Sequence, residues 1–113
     1  MGKSSREKGK RGERELASVL KGEYGYDCRR GQQFSGANGD ADVVGLPGLH
    51  IECKRVERLN IQDAVDQAKR DRKEGELAAV FHRKNNCDWN VTMPLTHFMA
   101  IYCEWEAGHH GEL

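Results

Sequence analysis

Two acidic residues and a lysine near the middle of the chain are spaced so that they can bind a metal ion and act beside it. Glu52 and Lys54 stand two residues apart in a predicted strand, so both side chains leave the same face of the sheet. Asp42 belongs to the preceding strand, which a hairpin connection can bring beside Glu52. Two carboxylates can share a hard cation such as Mg²⁺. A neighbouring lysine can orient or help to activate an attacking water, or balance charge on a phosphate in the transition state.

A third carboxylate, that of Glu13, is predicted to face inward from a helix. Leu16, Val19 and Leu20 stand at the i, i+3, i+4 spacing of one buried stripe. Glu13 lies at the edge of that stripe, whereas Glu15 falls outside it. An inward carboxylate needs a partner to offset its loss of water, and a metal ion or a lysine would serve.

The elements that must position these side chains follow one another in the order α, β, β, β, α, β, β, α. Apolar periodicity and turn residues predict helices over 10–23, 61–74 and 94–103, and strands over 26–30, 41–46, 49–56, 77–82 and 88–93. Strands 41–46 and 49–56 are expected to form an antiparallel hairpin. Asn60 and Asp63 resemble a capping box at the start of the second helix. The predicted fold is α/β (α+β), a mixed sheet of about five strands flanked by helices.

Four short segments carry a resemblance to a known family. In chain order they are GKRGEREL at 9–16, FSG at 34–36, ADVVG at 41–45 and IECK at 51–54. With Gln67 on the following helix, they resemble the PD-(D/E)XK nuclease superfamily, and most closely the archaeal-type Holliday-junction resolvases and their phage-encoded relatives. Single motifs of this kind arise often by chance, but their combination in this order is fairly specific. Ala41 stands where the family usually has proline, at a position that supplies backbone shape and no ligand.

The resemblance implies a restriction-endonuclease-like core and a role for each matching residue. Asp42 and Glu52 would bind the metal, with the backbone carbonyl of Cys53 as a further ligand. Glu13 would complete the metal shell, directly or through water. Lys54 would be the catalytic lysine.

Three further residues have more than one interpretation. Ser35 and Gln67 occupy positions that the family uses for auxiliary contacts to the lysine, the water or a DNA phosphate. A loop hydroxyl and a solvated helix amide are equally good interpretations of these two residues. Asp40 is an alternative to Asp42, but alternation along the strand places Asp42 at the position that matches the family.

The same resemblance implies Mg²⁺-dependent hydrolysis of DNA, with Mn²⁺ as a substitute, leaving a 5′-phosphate and a 3′-hydroxyl. Branched DNA is the expected substrate. A four-way junction has two-fold symmetry, so an enzyme of this kind would act as a homodimer. The alternatives are a restriction-like, nicking or repair endonuclease on duplex or flap DNA, or a catalytically silent DNA-binding subunit of the same fold.

The distribution of charge favours a polyanionic partner although the net charge is zero. Residues 1–14 carry six basic and two acidic side chains, a net charge of +4, whereas residues 104–113 carry three glutamates and no lysine or arginine. We therefore expect a basic arm over 1–12, one nuclease domain over 13–103 and an acidic tail over 104–113. The candidate DNA contacts are Lys8, Lys10, Arg11, Arg14, Arg29 and Arg30.

Length and composition limit the other possibilities. A chain of 113 residues has room for one domain. No apolar run approaches membrane-spanning length, and the first residues are polar and basic, so we expect an intracellular protein, compatible with a phage protein acting in its host. Trp89 is expected to pack in the core, and Trp105 to cover the edge of the core or a partner surface.

Overall fold

The computed structural model describes residues 2–32 and 40–109, with side chains described from residue 7 onward. Its elements follow the predicted order, and the prediction of a mixed five-stranded sheet flanked by helices is confirmed. The elements are α1 (Gly2–Tyr24), β1 (Arg29–Arg30), β2 (Val43–Val44), β3 (Leu49–Arg55), α2 (Ile61–Asp71), β4 (Leu77–Arg83), β5 (Asn90–Thr92) and α3 (Leu95–Gly108).

The strands lie in the sheet in the same order as in the chain, β1-β2-β3-β4-β5. Neighbouring strands are antiparallel except for β3 and β4, which are parallel. A parallel pair needs a crossover connection, and α2 supplies it. The predicted hairpin is confirmed, with Val43 of β2 paired with Ile51 of β3.

The two central strands are buried on both faces, as is usual for parallel strands. On one face a core cluster joins α1 to the sheet; it contains Leu16, Ala17, Leu20, Cys28, Val43, Ile51, Cys53, Ala79 and Phe81. On the other face a smaller cluster joins α2 to β4; it contains Ala64, Ala68, Ala78 and Val80. Trp89 packs against the first cluster, which confirms its predicted packing role.

Helix α1 is longer than predicted. It begins at Gly2, so residues 2–12, which were assigned to an arm, continue the helix. Gly25 ends it in the left-handed region, with a φ of 79°, and the N–H groups of Gly25 and Tyr26 donate to the carbonyls of Lys21 and Leu20. Gly22 lies inside the helix.

Strands β1 and β2 are shorter than predicted, each for a local reason. The N–H of Cys28 donates to the carbonyl of Tyr26 at 2.7 Å, a turn that leaves only Arg29–Arg30 free to pair. Strand β2 is limited to Val43–Val44 because the side chain of Asp42 takes the place of backbone pairing at one end, as described below. At the other end Gly45 adopts a φ of 127°.

The later elements also differ from their predicted bounds. Helix α2 ends at Asp71 because Arg72 is extended and residues 73–76 form a turn, closed by the N–H of Glu76 donating to the carbonyl of Lys73. The predicted N-cap is confirmed, since the side chain of Asn60 accepts from the N–H of Asp63. Strand β5 is reduced to Asn90–Thr92, and α3 continues five residues beyond its predicted end. In the described ranges no helix is both long enough and apolar enough to cross a membrane.

Two glycines of α1 test the packing of this helix on β3. The same substitution to alanine is expected to change the free energy of unfolding in opposite directions at the two positions. A Cβ added at Gly12 would lie 2.5 Å from the Cβ of Arg55, whereas one added at Gly9 would meet nothing within 4 Å. We expect Gly12→Ala to lower the free energy of unfolding by about 1 to 3 kcal/mol through overpacking. Gly9→Ala should raise it by up to about 1 kcal/mol through helix propensity. Urea denaturation of both variants measures the difference, and equal effects would contradict the close contact at Gly12.

Candidate active site

The carboxylate of Asp42 lies where β2 separates from β3. Its Oδ2 accepts a hydrogen bond from the backbone N–H of Cys53 at 2.8 Å, while its own N–H donates to the carbonyl of Ile51 at 3.0 Å. The Asp42 carboxylate therefore accepts from an N–H of β3 that would bond to a backbone carbonyl if β2 were longer. The ladder ends there, and the Asp42 carboxylate is held against β3.

Glu52 lies beside this carboxylate. Its side chain is almost fully buried, and its charge acts on the carboxyl group of Asp42, so the two carboxyl groups lie near each other. Burial, followed by the charge of Glu52, raises the pKa of Asp42 to about 7, against a smaller opposing effect of the Cys53 N–H. Two carboxyl groups in this position require a proton or a cation between them.

Asp42, and not Asp40, is the aspartate that the structure brings to Glu52. Asp40 accepts a hydrogen bond from the backbone N–H of Gln32 at 3.0 Å, and its Oδ2 lies 3.9 Å from Nη1 of Arg29. This placement agrees with the preference for Asp42 from strand alternation.

His50 is a neighbour of Glu52 that the sequence analysis missed. Its Nε2 lies 2.9 Å from Oε1 of Glu52, and its Nδ1 lies 3.8 Å from Oε1 of Glu76, with His50 and Glu52 only 5% and 4% exposed. Burial lowers the pKa of His50, but the hydrogen bond to Glu52 and the charges of nearby acids outweigh it, so the pKa is raised overall. Alternation along β3 places residues 50, 52 and 54 on one face and would have found this residue.

Lys54 leaves the same face of β3 as Glu52, two residues further on, and is half-buried. Its register partner on β4 is His82. Within the described part of the chain its ammonium group has no ion-pair partner, in contrast to the arginines around it. A half-buried lysine on the same face of β3 as Glu52, with no ion pair among the described residues, is available to a ligand.

Glu13 faces inward from α1 as predicted, and its partner is an arginine. Nε of Arg30 donates to Oε1 of Glu13 at 2.8 Å, with the two side chains 28% and 15% exposed. Glu13 also contributes to the raised pKa of Asp42 through its charge, so it lies near the carboxyl pair. A direct or water-mediated role for Glu13 at a metal remains a prediction.

A second ion cluster, formed around Glu15 of α1, was not predicted. Glu15 accepts from Nε of Arg55 at 3.2 Å and from Nη1 of Arg83 at 3.1 Å. The helical wheel had placed Glu15 outside the apolar stripe, and the structure uses it to join α1 to the ends of β3 and β4.

The remaining predicted site residues are placed less fully. Gln67 is half-buried on α2, next to Ala68 of the core, and Ser35 lies outside the described residues. The Cys53 thiol points into the core cluster, where burial and then the charge of Asp42 raise its pKa above the usual range, so it stays neutral. The contribution that the sequence analysis assigned to Cys53 is its backbone carbonyl, which remains a prediction.

Most of the predicted DNA contacts line two basic grooves, one on each side of α1. The first has a volume of about 350 Å³ and is lined by the basic residues Lys8, Arg11 and Arg55 and by the acidic residues Glu15 and Glu57. The second is wider, at about 530 Å³, and is lined by Arg14, Ala17, Ser18, Lys21, Cys28, Arg29 and Arg30. Lys10 is half-buried and lines neither groove. Because Arg30 is already paired with Glu13, it is a weaker candidate for a phosphate than Lys8, Arg11 or Arg14.

The donor set fits a hard divalent cation. For the residues that the structure describes, no three His, Cys, Asp or Glu side chains converge to hold a metal ion by themselves. Asp42 and Glu52 nevertheless bring two carboxylates together, and Mg²⁺ is usually held by one or two carboxylates together with waters and substrate phosphates. A cation between them would offset both the burial and the charge of Glu52 that raise the pKa of Asp42.

Comparison of the chain with protein-family models, with curated proteins and with solved structures found no match.

The contribution of the partly buried ion pair between Arg30 and Glu13 to stability can be tested by comparing substitutions of Arg30 and of the adjacent Arg29. Arg30→Ala leaves the Glu13 carboxylate without its hydrogen-bonded cation, so we expect the free energy of unfolding to fall by about 1 to 3 kcal/mol. Arg29→Ala is the matched control, because Arg29 is 64% exposed and its ion pair spans 3.9 Å; its effect should stay within about 0.5 kcal/mol. Chemical denaturation of both variants measures the two effects. A similar decrease in the free energy of unfolding in both variants would show that the Arg30–Glu13 pair does not stabilise the fold.

The buried hydrogen bond of His50 gives a second stability test. His50→Ala removes the partner of a buried carboxylate and opens a cavity, which should cost about 2 to 4 kcal/mol. His50→Gln retains a side-chain donor and should recover part of that loss. Denaturation is measured in EDTA, so that no metal ion compensates. If both variants unfold as the unaltered protein does, Glu52 does not depend on His50.

Proposed function

We propose that the chain is a metal-dependent DNA endonuclease whose active site contains Asp42, Glu52 and Lys54. One observation carries the proposal: two carboxyl groups lie near each other where β2 separates from β3, and on the same face of β3 is a lysine with no ion pair among the described residues. Neighbouring carboxylates in a buried place are unfavourable without a cation or a shared proton.

Asp42 and Glu52 would hold Mg²⁺, or Mn²⁺ in its place, with the carbonyl of Cys53 as a further ligand. When bound, the ion would polarise the phosphate and lower the pKa of a water molecule. The chain keeps the two carboxylates in position through hydrogen bonds of its own. The N–H of Cys53 orients Asp42, and the imidazole of His50 orients Glu52.

Lys54 would donate hydrogen bonds to the attacking water or to a non-bridging phosphate oxygen, where negative charge increases in the transition state. Its freedom from ion pairs in the described structure suits this role. Glu13 would act from the edge of the site, and Arg30 offsets its charge while no substrate is present. Hydrolysis in this arrangement would leave a 5′-phosphate and a 3′-hydroxyl.

The basic grooves support DNA as the substrate. They flank Glu13 on α1, and Lys8 and Arg11 line one of them while Arg14 and Arg29 line the other. Phosphate contacts of this kind give affinity without reading sequence, so binding should weaken steeply with salt.

The topology adds support of a weaker kind, because folds host many functions. A mixed sheet with Asp42 entering one strand and Glu52-x-Lys54 on the next is the arrangement expected for a restriction-endonuclease-like core. By the same resemblance, a four-way DNA junction is the first substrate to test, with a homodimer making the two symmetric cuts.

The test is cleavage of a labelled four-way junction in Mg²⁺ by Asp42→Ala and Lys54→Ala. We expect each variant to cleave at least about 100-fold more slowly, since each loses a group that acts at the reacting phosphate. Asp66→Ala and Lys69→Ala are matched controls, because these side chains are exposed on α2. Circular dichroism and urea denaturation confirm that the variants remain folded.

Undiminished cleavage by Asp42→Ala or Lys54→Ala would remove the proposed active site. Flap, linear duplex and single-stranded substrates tested in parallel separate a junction resolvase from a restriction-like, nicking or repair enzyme. If the unaltered protein binds junctions in EDTA but cleaves none of these substrates with Mg²⁺ or Mn²⁺, it is a DNA-binding subunit and not a nuclease.

A further inference from the structure

Helix α3 is apolar and yet lies almost entirely at the surface. Of its fourteen residues only His97 is less than exposed, and none is buried. Its large apolar side chains are 40 to 73% exposed; they are Leu95, Phe98, Met99, Ile101, Tyr102 and Trp105. A helix that is apolar around most of its circumference is normally covered, and a continuous apolar surface of this size usually marks an interface.

The helix is attached to the body of the protein at its first turn. The backbone N–H of Ala78, on β4, donates to Nδ1 of His97 at 2.9 Å. Burial, followed by the charge of Arg72, lowers the pKa of His97, which keeps this nitrogen available as an acceptor. The position of α3 is therefore fixed at its start, while its apolar surface faces outward.

Four rings form a continuous stripe along one side of α3. The centroids of Phe98 and Tyr102 are 6.1 Å apart, those of Tyr102 and Trp105 are 5.7 Å apart, and those of Trp105 and His109 are 4.8 Å apart. Aromatic side chains bury large areas and are enriched where proteins associate. The stripe is thus a preformed contact surface on a helix that the other described residues leave uncovered.

The charges on α3 favour a protein over a nucleic acid as the occupant of this surface. Aromatic rings could in principle stack on unpaired bases, but such sites combine rings with basic side chains. Helix α3 contains no lysine or arginine, and its only formally charged residues are Glu104 and Glu106. These carboxylates would repel a phosphate backbone.

The positions of the charged residues along α3 indicate how the α3 helices of two copies would pack. Helix α3 has no acidic residue in its first turn and no basic residue in its last, while Glu106 lies near its C-terminal end. That arrangement is unfavourable in an isolated helix, because the C-terminal end already carries partial negative charge. An antiparallel pair places each acidic end beside the positive N-terminal end of the partner helix.

We propose that α3 is a homodimerisation helix, which packs antiparallel against α3 of a second copy through the stripe Phe98, Tyr102 and Trp105. The contact is isologous, so each copy offers the same surface, and the dimer closes without leaving an exposed end. This inference rests on α3 alone and holds whether or not the protein cleaves DNA.

Sedimentation velocity over a range of concentrations, in reducing buffer so that Cys87 and Cys103 cannot cross-link, tests the interface. We expect the unaltered protein to be a dimer. Tyr102→Glu places a charge in the centre of the stripe and should weaken the dimer at least about 100-fold, while circular dichroism stays unchanged because α3 buries nothing in the monomer. Tyr24→Glu is the matched control, an exposed tyrosine on α1 that should leave the dimer intact.

The orientation is tested with the double variant Glu104→Gln/Glu106→Gln. In an antiparallel pair it removes attractions to the partner's N-terminus, so the dissociation constant should rise, roughly 5-fold or more. In a parallel pair it would remove repulsion between two acidic ends and lower the dissociation constant, which overturns the proposed orientation. A monomer at all concentrations, a dimer insensitive to Tyr102→Glu, or quenching of Trp105 fluorescence by single-stranded DNA would overturn the interface itself.

Discussion

The hydrogen bond from the backbone N–H of Cys53 to the carboxylate of Asp42 is the constraint on which the site depends. It ends the pairing of β2 with β3, so the two strands separate at that point, and it holds one carboxyl group against another in a place that water scarcely reaches. This single contact both ends the strand pairing and positions the Asp42 carboxylate. A change in the pairing of β2 with β3 would therefore also move the carboxylate. The cost of bringing Asp42 to Glu52 is offset by donors fixed within the sheet.

Around this pair the molecule balances acidic side chains with specific cations. Glu13 is paired with Arg30, and Glu15 with Arg55 and Arg83, so that α1 is joined to the sheet by charge as well as by apolar packing. Lys54 is different, since in the ranges that the structure describes it remains outside these pairs. The arginines are thus structural in the resting protein, and the lysine is the cation that stays available.

The sequence was a good guide to whatever depends on local periodicity. The stripe on α1, the order of the elements, the β2–β3 hairpin and the shared face of Glu52 and Lys54 all follow from patterns of two or four residues. Ion-pair partners could not be found in this way, because Glu13 and Arg30 are separated by seventeen residues, and their meeting depends on how α1 lies across β1.

Element ends were predicted less well, since a single side-chain or turn hydrogen bond decides them. Asp42 shortens β2, and the turn at Tyr26 shortens β1. His50 is a different case: the alternation that grouped Glu52 with Lys54 also includes it, so it was predictable and was overlooked. The length of α3 was underestimated because its C-terminal residues lack the amphipathic pattern of a helix packed on its own domain.

The agreement between strand order and chain order has a consequence for how the polypeptide folds. Each strand pairs with the one that precedes or follows it, so the connections that must close within the sheet run from four residues between β2 and β3 to twenty-one between β3 and β4. Loop-closure entropy grows only slowly over such lengths, and a low contact order is associated with fast folding. The largest closure cost within the sheet is then that of the crossover through α2, which joins β3 to β4.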